Sequence, residues 1–513
     1  MAFPSAATAL PWPLIPVLIL LALVVKRKYF TSLRDIPGPF LASVSSLWKI
    51  KQIIRGHTEE EMLALHMRHG DFVRITDNEV SIGHPDAVKH LLHAKIAKGS
   101  WYEVFSIPDY RFVSQMSETD PQRHIEKGKN VAAGYALSNI IKSESYVDNI
   151  ISELESQLNR IIESGDRVAH LDKWFNYFAF DVVGEVTFSQ SFGFVKAGND
   201  IGSAIANARK LALYVSIMGH YVWFHNLTIG NPLMSTLGLI PASHLFDTCV
   251  AAIDSRKKNP EARNDMMERW LNIRNTHPDR MTDNDVFAAA AANVGAGAET
   301  VSASLQALVY YLLRNPVYLH RLRAELDEAQ QRGELSRIVQ YAEAQNLPYL
   351  QACVSLLNWD WQRCTEGREQ IKEAYRYHSS IGTNLPRVAP KGGLTIRGQY
   401  FPEGTLLSVN LWVIHRNPDL FGADSNAFNP ERWLDKERAK GMDYFLVHWG
   451  AGYNQCPGRN LAHFEISKLA ATLLRDYEFE FVDAKKEWSF NNHFITTPSD
   501  WPCRARRRVL AKV

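Results

Sequence analysis

From Thr282 to Asn315 the chain runs without a proline, and Pro316 ends the run. Thr282 followed by Asp285 three residues later is a capping-box pattern, so a helix starts there. At about 1.5 Å per residue it is roughly 50 Å long, and any fold has to accommodate it. Inside it lie Gly295-Ala296-Gly297-Ala298-Glu299-Thr300. An interior helical glycine costs about 1 kcal/mol against alanine, so two within three positions call for a reason. Small residues let a flat cofactor or an oxygen molecule approach the backbone, and they tolerate local widening of the helix. Glu299 and Thr300, an acid beside a hydroxyl, can relay protons through water. The plainer reading is a packing seam of small residues with a solvated glutamate.

A second stretch, Trp449 to Asn460, reads WGAGYNQCPGRN. Cys456 sits among Gly450, Gly452 and Gly458, which let the backbone bend close to a flat ligand, and Pro457 fixes the chain beyond the sulfur. Ala462, Ile466, Leu469 and Leu473 then share one helical face. Cys456 is thus expected just before a helix N-terminus, where the dipole favours a thiolate. Such a thiolate suits an axial ligand to haem iron, against the alternative of a buried structural cysteine.

This loop resembles the haem-binding signature of the cytochrome P450 family, F-G-x-G-x-R-x-C-x-G. Trp449 stands for the usual Phe and Asn454 for the usual Arg, so another cation is expected on the haem propionates. The tyrosine–asparagine form is similar to that of fungal pisatin-demethylase-like monooxygenases. The Gly295–Thr300 run resembles the family's A-G-x-D/E-T oxygen-activation motif. The resemblance implies a mainly α fold with small β-sheets, haem b (iron protoporphyrin IX) held by Cys456, and Glu299 and Thr300 as proton-supplying residues. It also implies a cofactor cradle of Trp449, Gly450, Gly452, Asn454 and Gly458. His124, Arg387 and, more weakly, Lys129 are its propionate candidates. His124 read alone is a solvated helix residue on the predicted Asp120–Leu137 helix.

Glu373 and Arg376 lie three apart on one helix face. In the family such a pair joins an arginine of a P-E-R-like segment, here Arg432, in a structural charge network. The resemblance places the substrate pocket at Trp101 and Tyr102, at Ile381 and Leu385, and at Phe494 and Ile495. It implies insertion of one oxygen atom from O2 into an apolar small molecule, in fungal secondary metabolism. Electrons come from NADPH through a separate NADPH-cytochrome P450 reductase, with cytochrome b5 a further candidate partner. Alternatives are a reductase-independent haem-thiolate isomerase or dehydratase, and a non-catalytic haem protein.

Length alone allows about three domains in 513 residues; the resemblance favours one large one. A net charge of +2 gives no argument for nucleic acid. Cysteines 249, 353, 364, 456 and 503 are scattered and odd in number, which fits neither a disulfide framework nor a zinc site. Met1 to Val25 carries no charge and precedes Lys26-Arg27-Lys28. Residues 1–28 are therefore expected to form a retained membrane anchor with a cytosolic basic stop, rather than a cleaved signal. The resemblance places such an anchor in the endoplasmic reticulum membrane. Residues 29–40, with Pro37-Gly38-Pro39, form a hinge, and 41–513 the catalytic domain.

Phe72–Ile75 and Val80–Ile82 flank Asp77-Asn78 as a hairpin, and Pro85 opens a helix through Leu92. Leu211–Leu227 reads as a buried helix pair or as a pocket roof touching lipid, and Arg504–Arg508 as a solvated edge strand. One segment conflicts with its surroundings. Joined across Val354–Gln370, the chain reads LPYLQACIKEAYR, a continuous amphipathic helix of the family type. The seventeen residues between fit no such pattern and are not a whole number of 3.6-residue turns. Val-Ser can be encoded by a donor-like GTGAGT and Gln by a CAG acceptor. Val354–Gln370 is therefore expected to be a retained intron, with a bulged loop as the alternative.

Overall fold

The computed structural model describes residues 14–237, 243–258, 265–354 and 373–509. Most of the Val354–Gln370 segment, and the first half of the expected anchor, lie outside these residues.

The long helix spans Asp283–Arg314, 32 residues, and begins with the expected capping box between Thr282 and Asp285. Its main partner is the helix Leu171–Phe188, buried at nearly every position. A helix apolar all round belongs inside a domain, and here it forms the core of the molecule with the long helix. The Glu144–Glu163 and Arg459–Asp476 helices complete the layer around them.

The strands are β1 Phe72–Arg74, β2 Glu79–Ile82, β3 Val168–Ala169, β4 Leu385–Val388, β5 Leu394–Ile396 and β6 Gln399–Phe401, then β7 Leu406–Val409, β8 Tyr477–Phe481, β9 Ser489–His493, β10 Ile495–Ser499 and β11 Cys503–Arg507. They form small sheets in the orders β1-β2-β7-β4, β3-β11-β8, β10-β9 and β5-β6. The first sheet packs a separate apolar core with Val80, Ile82, Leu407 and Val409. The protein is thus helix-rich with small sheets, as the resemblance implies.

Three local expectations need correction. Cys503–Arg507 is the middle strand of its sheet, paired to β3 and β8, because Cys503 and Ala505 alternate inward while the arginines face out. The Asp120–Leu137 helix stops at Val131, since the chain turns where Gly134 packs against Trp270. The segment after Pro85 winds as a π-helix over Val88–His93. At the N-terminus a helix, α1, covers Leu14–Tyr29 and leaves its large apolar side chains exposed. Among the described residues no helix is long and apolar enough to cross a membrane.

Candidate active site

The loop before the Arg459–Asp476 helix is bent by two left-handed glycines. Gly450 has φ +71°, and a Cβ there would come to 2.5 Å from the Asn454 carbonyl oxygen. Gly452 has φ +57°, and its Cβ would meet the His93 carbonyl oxygen at 2.7 Å. Only glycine fits either place. Folded this way, Cys456 donates its N–H to the Trp449 carbonyl at 2.7 Å, and its sulfur faces the N–H groups of Gly458 and Arg459. The expected dipole effect is therefore present. Burial nonetheless outweighs it and pushes the thiol up from its ordinary value. A metal cation opposite the sulfur reverses that balance.

The two helix glycines divide the readings that the sequence left open. A Cβ on Gly295 would meet nothing within 4 Å, and Gly295 and Ala296 are exposed in the middle of a buried helix. A Cβ on Gly297 would sit 3.0 Å from Val183 Cγ2. Gly297 is thus the packing seam with the Leu171–Phe188 helix, while Gly295 opens a face to free space. Thr300 Oγ1 donates to the Ala296 carbonyl at 2.7 Å on that same side.

Glu299 is buried, and Arg209 donates to its Oε1 at 3.4 Å from the helix Ala204–Met218. Burial raises the carboxyl to about 7, against the pull of Arg209. Near neutral pH Glu299 can therefore both hold and release a proton. Removing Arg209 takes away the group that favours the ionised form. If turnover needs protonated Glu299, the rate falls as pH rises through about 7. In Arg209→Ala that fall is expected about one pH unit higher, and in Glu299→Gln it disappears. The pH profile of NADPH-coupled turnover checks both.

Two buried cations meet beside the cysteine loop. Arg387, on β4, donates to Tyr102 Oη at 3.1 Å, and its Nε has no hydrogen-bond partner among the described residues. Lys98, bridged to Arg387 across the backbone, donates to the Gln115 and Met116 carbonyls at 3.1 and 2.7 Å. Burial and the Arg387 charge push Lys98 down to about 7. Neither forms a salt bridge among the described residues. The Glu118 charge offsets part of this for Lys98, but two buried cations without a salt bridge are costly and suit a further anion. His124 lies beside them with both nitrogens engaged: Nδ1 faces Lys98 Nζ at 3.3 Å and Nε2 the Tyr453 carbonyl at 3.0 Å. Burial and Lys98 hold it near 4, so it is neutral and ties its helix, α4 (Pro121–Val131), to the cysteine loop. Lys129 is exposed, well around α4 from His124, and is not brought to the site. The second cation that the Asn454 substitution calls for is thus Lys98, which the sequence reading missed. Nothing local singles it out, since Lys95 stands three residues before it in the same stretch.

Glu373, Arg376 and Arg432 come together with fully buried side chains. Glu373 takes two bonds from Arg376 at 2.7 and 2.8 Å, and others from Arg432 Nε, Trp433 Nε1 and the Asn429 N–H. On the pocket side, Trp101 and Phe105 lie 5.7 and 5.1 Å from the Phe494 ring. Ile381 bridges to Ile495, and Leu385 is half-buried at the start of β4. Tyr102 turns instead to Arg387.

These residues fit a haem. Cys456 presents a sulfur, the Gly295 face is open, and Arg387 with Lys98 offers positive charge for two propionates. The indole N–H of Trp449 is likewise buried without a hydrogen-bond partner among the described residues. The site and fold define a haem-thiolate protein. The family model described as Cytochrome P450 matches residues 37–355 and 368–501, so the chain belongs to the cytochrome P450 family. Among curated relatives, it is 32% identical to cytochrome P450 monooxygenase cicH of Emericella nidulans over 95% of this chain and 97% of that one. It is 31% identical to a pisatin demethylase of Fusarium vanettenii, over 90% and 87% of the two chains. Cytochrome P450 monooxygenase gsfF of Penicillium aethiopicum matches at 28% over 91% and 92%. The protein is accordingly an oxidoreductase of the P450 monooxygenase class.

Proposed function

We propose that this enzyme inserts one oxygen atom from O2 into an apolar small molecule of fungal secondary metabolism. The observation that carries the reading is the pairing of an open helix face at Gly295 with a protonatable Glu299 beside Thr300. Reductive oxygen activation consumes protons, and an acid beside a hydroxyl on an open helix face can supply them. When bound, haem supplies the one-electron and O2 chemistry. Cys456 would hold it through its sulfur, and Arg387 and Lys98 would pair with its carboxylates. Glu299 stores a proton and Thr300 holds its hydroxyl near the open face. Trp101, Phe105 and Phe494 exclude water and orient an apolar guest. Incubation of microsomes with NADPH, the reductase and 18O2 tests this: one labelled oxygen per product supports it, and product formed without NADPH refutes it.

The relatives named pisatin demethylase support a specialised substrate, such as a polyketide, terpenoid or alkaloid scaffold. Membrane attachment in the endoplasmic reticulum, with reductase and cytochrome b5 as partners, is part of the same proposal. Supporting it are the apolar α1 with its basic last turn and the exposed Trp223, Phe224 and Leu227 of a short helix. Sedimentation with microsomes after carbonate washing checks the attachment.

The family match passes over residues 356–367, inside the expected intron. We hold to that reading of Val354–Gln370. A chain lacking those residues is expected to bind haem at least as fully as the full chain. A far lower haem content in the shortened chain would show the segment to be part of the working fold.

A further inference from the structure

We propose that Glu59 and Asn492 are positioning residues that set where Phe494 stands over the substrate, and so select the face of an apolar molecule presented for oxidation. The inference rests on the oxygenase reading above.

In the β9–β10 hairpin Ile495 pairs with His493, so Phe494 alone makes the turn. Its φ is +81°, a region where a bulky residue is strained and persists only if its surroundings hold it. On one side the ring touches Trp101 and Phe105. On the other, the Phe494 carbonyl accepts the Gly382 N–H at 3.3 Å. Two residues before the turn stands Asn492, 0% exposed. Its N–H donates to the Gly56 carbonyl at 2.8 Å, and its amide to Thr58 Oγ1 at 2.8 Å and Glu59 Oε2 at 2.5 Å. Gly382 closes on the same amide, since a Cβ there would lie 2.2 Å from Asn492 Nδ2.

The hairpin is thus gripped by the junction between α2 (Leu47–Arg55) and α3 (Thr58–His69), far away in sequence. Glu59 is itself 0% exposed, its Oε1 lies 3.9 Å from His57 Nδ1, and burial pushes the carboxyl up to about 7. Burying a carboxyl group held mainly by the Asn492 amide and its own backbone N–H is costly, which calls for a purpose beyond filling space. His57, Glu59 and Glu60 do bring ligand atoms within 4.8 Å of one another. A cation there is opposed by the N-terminus of α3 and by the nearby Arg416 charge. The hairpin accounts for the carboxyl; a metal does not.

The test uses the full haem-loaded chain in microsomes and two azole probes. Imidazole reaches iron without filling the pocket, while clotrimazole carries a bulky triaryl group. Glu59→Ala and Asn492→Ala are each expected to weaken clotrimazole about tenfold, one charge-assisted hydrogen bond, and imidazole less than about twofold. Glu59→Gln keeps an acceptor for Asn492 and restores clotrimazole binding to within about twofold. In a Phe494→Ala background, Glu59→Ala has no further effect. Equal losses for both azoles, or an undiminished Glu59→Ala effect without the Phe494 ring, overturn the proposal. Should Glu59→Ala fail to fold, Asn492→Ser and Thr58→Val cut the same tether more lightly and are read the same way. A wild-type protein without a thiolate-type carbon monoxide band overturns the oxygenase reading instead. Hydrogen exchange over residues 489–499 then decides the tether alone: faster exchange in Glu59→Ala supports it, and unchanged exchange refutes it.

Discussion

Replacing Cys456 with serine is expected to abolish the thiolate-type carbon monoxide band of the reduced protein and all NADPH-dependent turnover, while the fold survives. The serine fits the same turn. Its side chain is smaller than the one it replaces, and the Trp449 carbonyl still takes the residue's N–H. The glycines that shape the loop are untouched. What is lost is the one soft, ionisable donor of the glycine-bent loop. Turnover is expected below about one part in a thousand, a barrier rise of roughly 4 kcal/mol. Far-UV circular dichroism should match the wild type. A retained thiolate band in Cys456→Ser would remove the basis for the site described here.

Glu373→Ala should act on the fold rather than on chemistry, and nearly as severely. Arg376 and Arg432 are both fully buried, and Glu373 is the carboxylate that they share. Arg376 spends its remaining donors on the His415, Ser425 and Ala427 carbonyls. Arg432 also meets Asp424, whose side chain is 41% exposed. Without Glu373, Arg376 keeps no carboxylate partner among the described residues. Breaking a buried pair by removing one member costs about 3–5 kcal/mol, against a total stability of about 5–15 kcal/mol. The Asn429 N–H and the indole of Trp433 lose their shared acceptor as well. The expected result is little soluble, haem-loaded protein. Glu373→Gln keeps one oxygen as acceptor and should fall between the two. Wild-type haem content and thermal midpoint in Glu373→Ala would refute this account.

Much of the site was legible because its signals are local. Two glycines near a cysteine, an acid beside a threonine, and a glutamate three residues from an arginine all act within one turn or loop. Helical periodicity and turn chemistry read such patterns directly. The same locality misled where neighbours decide. Nothing between Asp120 and Leu137 announces that Gly134 packs against Trp270, more than a hundred residues on. The strand Cys503–Arg507 carries the arginines of an edge, yet it lies between two partners. The sequence treated Gly295 and Gly297 as equivalent, and only Val183 tells them apart.

By itself the sequence determined the long capped helix, the glycine-bent cysteine loop and the membership of Glu373 and Arg376 in one helix face. Each follows from torsional preferences and spacings within a few residues. The tertiary structure alone decided the electrostatics. Lys98 joins Arg387, Arg209 reaches Glu299 and Glu59 grips Asn492 only once distant segments are packed together. A charge is read by what surrounds it in space, and burial changes its cost by several kcal/mol. No local pattern carries that information, because the partners lie on different elements and meet only in the folded chain.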